Sequence, residues 1–450
     1  MPNAPPSPPP IGPAPEGPPP SLPAAFSAAV LLTPFDGSQI AVAGVKYDSA
    51  KSLMLVDLWG LSTGHVQYLN IGPDTWVRTD PNGQWQGPSQ MGWVTPGPTL
   101  LSDMGATGIG TAPILQVDCS WWASASACTN GCEQEGPDCP KTVGSWTWWR
   151  TDTDAPWRTF FVDKGNPYKL PVIGAYAMVN WATFVAAEQP ELRELAEACR
   201  SGGRPPPAEF DPEPVALLAR AGEAESGMEP GPGSIIPGLH LPSQPVSLPF
   251  WPDTLLLAAS TIPTAALTVS PTIVCYDWPI SRMLTRLYGD QSGGYDDLVL
   301  TDSTTYDISY AADGSHHCNG TEPVGLPRPH WPECDKGQVM AVIDGGTNLS
   351  PYGTTQLIAL PSDHGRTFWI WYTTPENRAV LFTEVPQLCD VGLVLIDYWG
   401  YQPNETFDPS LFDVPSDCQG VTAPAPGEAV PPARRQAAAN LGSGRAGDRG

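Results

Sequence analysis

The sequence predicts a mainly β protein made of two tandem curved antiparallel sheets with few helices. Three observations support this fold class: a duplicated hairpin, a series of short β-prone runs in both halves, and a low content of charge. Charged residues make up 15% of the 450 residues, against roughly 25% in typical soluble domains. Short strands separated by turn residues are typical of meandering antiparallel sheets.

The duplication is the main organising feature. Tyr47–Gly60 aligns without gaps on Tyr276–Gly289, with identical residues at half of the positions. The Trp-rich block Trp146–Phe184 resembles Phe368–Phe407 in the same order. Agreement in order over so long a stretch is hard to obtain by accident and indicates two copies of one domain. The period is longer than that of solenoid repeats, so the copies form a tandem pair of domains.

Proline marks the boundaries of these two copies. The chain contains 55 prolines and 45 glycines, and about half of the prolines fall in two tails and a linker. Such segments resist packing into a core. The predicted organisation is a disordered Pro-rich segment 1–23, a β-rich repeat 24–200, a Pro/Gly-rich acidic linker 201–252, a second β-rich repeat 253–420 and a disordered tail 421–450.

The predicted elements follow in chain order. Ile40–Tyr47 and Ser52–Trp59 form a β-hairpin around the turn residues between them. Pro190–Arg200 is the predicted helix, with proline at its first position, and Val215–Glu225 is a second helix within the linker. Further short strands are predicted at 114–119, 145–150, 158–163, 341–344, 354–360, 367–373, 379–383 and 391–399.

Charge and hydropathy exclude several classes of function. Lys+Arg 22 against Asp+Glu 47 gives a net charge of −25, which repels a polyanion, so nucleic acid is excluded as a partner. Thr254–Val274 is uncharged and long enough to cross a membrane, but it contains two prolines and has a counterpart in the first repeat. No transmembrane segment is therefore predicted.

Cysteine usage indicates an oxidising compartment. Five of the ten cysteines fall in each half, so disulfides are expected, with one bridge between the halves allowed. Met1 leads directly into proline-rich sequence without a signal-peptide pattern, yet three glycosylation sequons agree with secretion. The candidate half-cystines are Cys119, Cys128, Cys132, Cys139, Cys199, Cys275, Cys318, Cys334, Cys389 and Cys418, and the candidate glycosylation sites are Asn319, Asn348 and Asn404.

Tryptophan and arginine supply the candidate ligand-binding residues. The 17 tryptophans either fill a core or present indole rings to a ligand. Arg158 and Arg378 recur in the duplicated block and either bind an acidic head group or form a structural ion pair with Asp48 or Asp277. The candidate ligand contacts are Trp121, Trp122, Trp149, Arg158, Trp371 and Arg378.

A histidine- and cysteine-rich stretch offers the ligand types that zinc prefers. His316, His317 and Cys318 are followed by His330 and Cys334. Their spacing matches no standard zinc motif, so a Cys318–Cys334 disulfide is the favoured interpretation and no metal is predicted. A nucleophile elbow, a P-loop and an HExxH motif are absent from the sequence.

Tyr47-Asp48 and Tyr276-Asp277, each followed by an apolar strand, resemble the ependymin-related group within the LolA-like half-barrel proteins. The resemblance implies a curved antiparallel sheet wrapped around a helix, repeated twice. It also implies a secreted, glycosylated, disulfide-bonded and non-enzymatic protein that holds lipids or other hydrophobic ligands on the concave face. Some such domains bind calcium, and no other cofactor is implied.

The sequence therefore predicts a secreted, non-enzymatic protein of extracellular or secretory-pathway location. A lipid or other hydrophobic ligand is expected on the concave face of each repeat. One alternative is a pair of carbohydrate-binding modules that use exposed tryptophans. The other is a hydrolase or metal-dependent enzyme. The sequence leaves the oligomeric state open.

Overall fold

A computed structural model describes residues 12–34, 40–60, 64–79, 83–89, 95–114, 117–126, 143–161, 177–201, 236, 238–240, 246–263, 269–289, 294–322, 326–334, 336–350, 353–361, 367–374, 378–384 and 394–420. Within these residues the protein consists of two large antiparallel sheets and three α-helices. The helices are α1 (Leu100–Asp103), α2 (Pro190–Arg200) and α3 (Trp331–Cys334).

The first sheet contains eleven strands. They are β1 (Ala25–Pro34), β2 (Ala41–Asp48), β3 (Leu53–Gly60), β4 (Gly64–Ile71), β5 (Asp74–Arg78), β6 (Gln86–Ser89), β7 (Thr107–Ile114), β8 (Val117–Ser126), β9 (Val143–Arg150), β10 (Ala155–Phe161) and β11 (Ala177–Ala186). Their spatial order is β6-β5-β4-β3-β2-β1-β11-β10-β9-β8-β7. The first strand therefore lies near the middle of the sheet, between its neighbour in sequence and the last strand.

The second sheet contains twelve strands. They are β12 (Leu239–His240), β13 (Thr254–Pro263), β14 (Ser270–Asp277), β15 (Arg282–Tyr288), β16 (Tyr295–Leu300), β17 (Thr305–Tyr310), β18 (His316–Glu322), β19 (Gln338–Ile343), β20 (Thr354–Pro361), β21 (Thr367–Thr374), β22 (Arg378–Glu384) and β23 (Val394–Pro403). Their spatial order is β12-β19-β20-β21-β22-β23-β13-β14-β15-β16-β17-β18.

Apart from β12, the two sheets have the same strand order. β1 pairs with β2 and β11, and β13 pairs with β14 and β23. A β-bulge interrupts the central pairing between Ala29 and Val30 in the first sheet and between Ala258 and Ala259 in the second. A β-bulge is a specific local feature of a strand pair and not a defect. Its presence at the same place in both sheets shows that they share local detail as well as topology.

The two faces of the first sheet have different neighbours. Because side chains alternate along a strand, Phe26, Val45, Tyr47 and Met54 share one face, here called the pocket face. The opposite face, here called the contact face, carries Leu31, Val42, Trp121, Trp148 and Trp157. These residues form one buried cluster with Ala341, Ile343, Leu349, Leu357 and Val380 of the second half. The two sheets therefore share a core.

Helix α2 covers another part of the contact face. Its buried residues Leu192, Leu195, Ala196 and Cys199 follow the spacing of one helical stripe. They pack on apolar side chains of β3 and β4. The ion pair between Arg193 Nε and Asp48 Oδ2, at 2.6 Å, fixes the helix to the end of β2.

The predicted fold class is confirmed. The protein is mainly β, and within the described residues each sheet runs from one edge strand to another without closing, as a half-barrel requires. The hairpin is present as β2 and β3, and the helix Pro190–Arg200 has the predicted bounds. The uncharged stretch Thr254–Val274 contributes β13 and β14.

Some expectations differ from the structure. The strand predicted at 114–119 spans the end of β7 and the start of β8, which pair antiparallel with Ile114 opposite Val117. Part of the segment predicted as disordered is packed, since Gly12 pairs with Thr111 and Leu22 packs against the pocket face. Leu239 of the predicted linker pairs with Ile343. The predicted helix Val215–Glu225 lies outside the described residues.

Candidate ligand pocket

An apolar cavity of ≈ 60 Å³ lies on the pocket face of the first sheet. The sheet provides one side of it, and two proline-containing segments provide the other. Its lining consists of Pro20, Leu22, Phe26, Val45, Tyr47, Met54, Pro96, Pro98, Leu100, Leu101, Thr147, Trp149, Pro156, Thr159, Val179 and Trp181. We call the segments 20–22 and 96–101, which face the sheet across the cavity, the cover.

Two hydrogen bonds position the cover. The backbone N–H of Leu22 donates to the carbonyl of Pro98 at 2.8 Å, joining its two segments. The phenol of Tyr47 donates to the carbonyl of Pro96 at 2.5 Å, joining the cover to β2. Burial raises the pKa of Tyr47 to about 12, so the phenol remains a donor throughout the neutral range.

The lining is uncharged. None of its sixteen residues is acidic or basic, and its indole N–H groups are engaged within the protein. Trp149 Nε1 donates to Asp154 Oδ1 at 2.8 Å, and Trp181 Nε1 donates to Thr159 Oγ1 at 3.2 Å. An ionised ligand group would lose its hydration here without gaining a charged partner, which costs several kcal/mol.

The structure divides the predicted tryptophans of the first repeat between the two faces. Trp149 lines the cavity, and Trp122 packs beside it against Leu101. Trp121 is on the contact face with 0% of its surface exposed, and its ring meets that of Trp148 edge-to-face at 6.3 Å. Trp121 therefore does not line this cavity, because strand alternation turns it towards the second sheet.

Arg158 also lies away from the cavity. Its side chain is 0% exposed and it is not among the lining residues. Its pairing neighbours are Trp148 and Asn180. The alternative partner considered for it, Asp48, is bound to Arg193. Arg158 is therefore a buried residue of the sheet and not a binding group for a ligand in this cavity.

The register shows that Arg158 and Arg378 are not equivalent. A bulge follows Pro156 in β10, so that Pro156 faces Trp149 and Arg158 faces Trp148. In β22 the corresponding bulge lies at Val380, and Arg378 faces Thr373 at the start of the strand. Arg378 is half-buried. Trp371 belongs to β21, and its side chain lies outside the described residues.

In the second sheet the space equivalent to the cavity contains indole rings. Tyr276 donates to the carbonyl of Pro327 at 2.9 Å, as Tyr47 does to Pro96. The backbone N–H of Trp251 donates to Pro329, as that of Leu22 does to Pro98. Trp251 thus replaces Leu22, and it packs edge-to-face on Tyr276 at 5.1 Å and on Trp331 of α3 at 6.0 Å.

Sequence reasoning missed most of the lining. Leu22, Phe26, Met54 and Trp181 were not among the candidates, although they line the cavity. One signal for them was present. Met54 recurs as Met283 in the duplicated hairpin, directly opposite Tyr47 and Tyr276 respectively. In the cover, Pro96 and Pro98 recur as Pro327 and Pro329, but these prolines lie outside the two duplicated blocks, so their approach to the sheet was not visible from the sequence.

A larger and more polar groove of ≈ 660 Å³ lies beside Trp251. Phe250 is 45% exposed there and its ring is 5.3 Å from that of His330. The groove is lined by Phe250, Trp251, Pro252, Asp253, Trp278, Arg328, Pro329, His330 and Asn404. It combines aromatic faces with planar polar groups, unlike the cavity in the first sheet.

The disulfide pairing differs from the prediction. Cys318 is bonded to Cys418, with the Cα atoms 5.3 Å apart, and not to Cys334. Cys199 and Cys275 are buried thiols, and burial raises their pKa values to about 11 and about 12. Cys119 is buried in β8. Cys128, Cys132, Cys139 and Cys389 lie outside the described residues, as does the side chain of Cys334.

The sequons differ in the surroundings of their amide groups. Asn319 Nδ2 donates to Asp307 Oδ1 at 2.9 Å, and Asn348 Nδ2 donates to the carbonyl of Ala182 in the other sheet at 2.9 Å. Asn404 is exposed at the end of β23 and lines the groove. Glycosylation remains a prediction for all three.

Several solved structures overlap with part of the chain path of this protein. No protein-family model and no curated protein matches the sequence. Among solved structures the chain is similar to an uncharacterized conserved protein from Thermus thermophilus, with 11% identity, 37% of this chain and 87% of that chain covered, and a TM-score of 0.26. It is also similar to the Mycobacterium tuberculosis lipoprotein LppX, with 10% identity, 37% of this chain and 89% of that chain covered, and a TM-score of 0.22. A third similar structure is MucB in complex with MucA(peri), with 10% identity, 83% of this chain and 88% of that chain covered, and a TM-score of 0.21. At these TM-scores the similarity carries no argument about function.

Among the described helices, none has the length and apolar character needed to span a bilayer.

Proposed function

We propose that the first half of the chain binds an uncharged hydrophobic ligand between its sheet and the cover, and that the second half has lost this capacity. The observation that carries the proposal is the difference between Leu22 and Trp251 at equivalent backbone positions. Leucine leaves an apolar cavity, whereas tryptophan packs on the tyrosine that both halves share. The proposal therefore places a ligand in the first half only, whereas the sequence predicts one on each repeat.

The size of the cavity sets how a ligand enters. Ligand pockets for drug-sized molecules enclose about 300–1,000 Å³, several times the ≈ 60 Å³ found here. A ligand with an acyl chain or a ring therefore displaces part of the cover. The backbone hydrogen bond from Leu22 to Pro98 joins the two segments of the cover. The segments 20–22 and 96–101 should therefore move together when a ligand displaces them.

We infer that the two halves arose by tandem duplication and form two domains, close to the predicted limits 24–200 and 253–420. Identical strand order, bulges at equivalent central pairs and a tyrosine bonded to a proline carbonyl in each half support this inference. Ser52 and Ser281 add a further shared detail, since both end the hairpin turn with positive φ, 52° and 53°.

The first experiment transfers the second half's residue into the first. In Leu22→Trp the indole should occupy the cavity, and the affinity of the protein for an uncharged naphthylamine fluorophore should fall at least tenfold. Val185→Trp is the matched control, because it adds an indole at an exposed position of β11. Absence of saturable binding to the unmodified protein, or binding unaffected by Leu22→Trp, would overturn the proposal.

The reciprocal variant tests the second half. Trp251→Leu should open a cavity beside Tyr276 and create a second fluorophore site, at a cost in the free energy of unfolding of about 3 kcal/mol. Titration calorimetry then gives a stoichiometry of two in place of one. A stable variant that retains a stoichiometry of one would show that the indole is not what blocks binding.

Competition distinguishes the ligand class. Because the lining is uncharged, a long-chain alcohol should displace the fluorophore at lower concentration than the fatty acid of the same length at neutral pH.

The secreted location remains part of the proposal, and the Cys318–Cys418 disulfide supports it.

A carbohydrate-binding role is the second candidate, and the groove beside Trp251 favours it. Phe250 and Trp278 offer ring faces, and Asp253, Arg328 and His330 offer hydrogen-bonding groups. Glycan-array binding that is lost in Phe250→Ala and Trp278→Ala, but kept in Leu22→Trp, would establish this role in the second half. An array without binding would reject it.

A further inference from the structure

We propose that Cys318 and Cys418, when their disulfide is reduced, form with His316 and Asp417 a binding site for zinc or a similar divalent transition metal. The site would replace the covalent link between β18 and the C-terminal segment 404–420. This site is independent of the ligand cavity, which lies on the first sheet.

Four ligand atoms already lie together at this place. One atom each from His316, Cys318, Asp417 and Cys418 falls within 4.8 Å of all the others. His316 and Cys318 are two residues apart in β18, so their side chains share one face of the strand. Asp417 and Cys418 come from the turn that follows the 3₁₀ helix Pro409–Phe412, where the N–H of Cys418 donates to the carbonyl of Pro415 at 3.0 Å.

The donor set fits zinc. Two thiolates, one imidazole nitrogen and one carboxylate oxygen supply the four ligands of a tetrahedral site with the atom types that zinc binds. Metal–ligand distances of about 2.0–2.3 Å place the ligands of a tetrahedral site about 3.3–3.8 Å apart. The two sulfur atoms, which are bonded in the disulfide, must therefore separate after reduction, while atoms up to 4.8 Å apart must approach one another. His316 Nε2 is already 3.1 Å from Asp417 Oδ2, so both side chains point at the same space.

The site is accessible. The side chains of His316 and Asp417 are 30% and 67% exposed, so a metal ion can reach them from solvent. Neighbouring His317 pairs with Ser309, and the alternation of β18 places its side chain on the other face. His317 is therefore a matched control in the same strand.

The chemical step is a two-electron reduction. A dithiol reductant transfers two electrons and two protons to the Cys318–Cys418 disulfide, giving two thiols and the oxidised cyclic disulfide of the reductant. Binding of the divalent ion then releases the two thiol protons, because the metal ligands are thiolates. The reverse exchange restores the disulfide: the cyclic disulfide of the reductant accepts the two electrons and two protons from solvent to become the dithiol, and the ion is released.

The consequence is retention of the C-terminal segment in both redox states. Phe412 and Cys418 pack in one cluster with Cys275, Leu284 and Ile308 on the second sheet. The segment covers this face as α2 covers the corresponding part of the first sheet. A metal bridge would hold it there under reducing conditions, where the disulfide is lost.

The test uses the full chain and cobalt(II) as the probe. After reduction with a dithiol and removal of excess reductant, the protein is titrated with cobalt. We expect a thiolate-to-cobalt charge-transfer band and tetrahedral ligand-field bands in the unmodified protein, with one equivalent fewer bound in Cys318→Ser/Cys418→Ser. This double variant retains the other eight of the ten cysteines, so the difference isolates the proposed site.

Single variants identify the remaining ligands. His316→Ala and Asp417→Asn should lower the affinity of this equivalent at least tenfold, whereas His317→Ala should leave it unchanged. Zinc should also raise the thermal midpoint of the reduced protein but not that of the double variant. Equal cobalt binding by the reduced protein and the double variant, or unchanged affinity in both His316→Ala and Asp417→Asn, would overturn the proposal.

Discussion

Tyr47 connects the strand and cover that enclose the cavity. Its hydrogen bond to the carbonyl of Pro96 is the described side-chain link between the pocket face and the cover. Tyr47→Phe should lower the free energy of unfolding by about 1 kcal/mol and speed fluorophore entry, as urea titration and stopped-flow fluorescence would show. Tyr276→Phe is the comparison, because Tyr276 makes the equivalent bond without an adjoining cavity. Equal entry rates in Tyr47→Phe and the unmodified protein would contradict a role in access.

The same phenol gives an alkaline pH dependence. Unfolded Tyr47 loses its proton near pH 10, whereas the folded residue retains it to about 12. The folded state therefore holds more protons in this window, and stability falls as pH rises from 10 to 12. The buried thiols of Cys199 and Cys275 act in the same direction from pH 9 upwards. Tyr47→Phe should have a shallower decline in thermal midpoint between pH 10 and 12, and an unchanged slope would contradict this.

Arg286, which is partly exposed, forms an ion pair with the buried Asp297, and the first sheet has no such pair at the equivalent positions. Arg286 Nε and Nη2 each donate to Asp297 at 2.7 Å, and the guanidinium lies 4.2 Å from the ring centre of Tyr295. At the equivalent places the first sheet has Asp57 opposite Gln67.

Removing one member of this pair leaves a buried charge. Arg286→Met should lower the free energy of unfolding by about 3–5 kcal/mol, and adding Asp297→Leu should restore most of that loss. A double-mutant cycle in urea measures the coupling. Additive effects of the two substitutions would show that the two charges are not coupled.

Among the elements, α2 depends on one apolar stripe. Leu195 is buried between the helix and β3–β4, and Glu194 is exposed on the opposite side. Leu195→Ala should cost about 2–5 kcal/mol, while Glu194→Ala should change the free energy of unfolding by less than about 0.5 kcal/mol. Guanidinium unfolding of both variants checks this, and similar small effects would mean that α2 contributes little to the fold.

Elements with a local signal were predictable from the sequence. Proline at the first position and regular apolar spacing predicted α2, and turn residues between two apolar runs predicted β2 and β3. A β-bulge has no comparable signature. The bulge at Trp157 corresponds to the bulge at Val380, so Arg158 corresponds to Leu381, three residues beyond Arg378, and a match of the two arginines by their order in the sequence was incorrect.

The candidate site was less predictable, because its residues meet through tertiary contacts. Trp149 was a candidate and lines the cavity, but no sequence pattern indicated which residues would surround it. The cover comes from proline-containing segments that local pattern predicts as irregular. Likewise the pairing of Cys318 with Cys418 joins positions 100 residues apart, a distance at which spacing alone does not select a partner.

In the whole molecule, the two sheets depend on a shared core. The contact face of the first sheet buries Trp121, Trp148 and Trp157 against the second half, and Asn348 bonds to Ala182 across the junction. A chain limited to residues 12–201 would expose these indoles. It should self-associate and bind a hydrophobic dye, whereas the full chain should unfold in one calorimetric transition. A monomeric fragment, with two separate transitions for the full chain, would contradict a shared core.

The central position of β1 also constrains the order of folding. Phe26 pairs with Tyr47 nearby in sequence and with Ala186 far along the chain. During synthesis the strands from β1 to β6 can assemble early, but one edge of β1 stays unpaired until β11 has emerged from the ribosome. The second half repeats this delay between β13 and β23. Closure over such separations is slow, and an unpaired apolar edge is prone to aggregation, so nascent chains of this protein should depend on holdase chaperones until each sheet is complete.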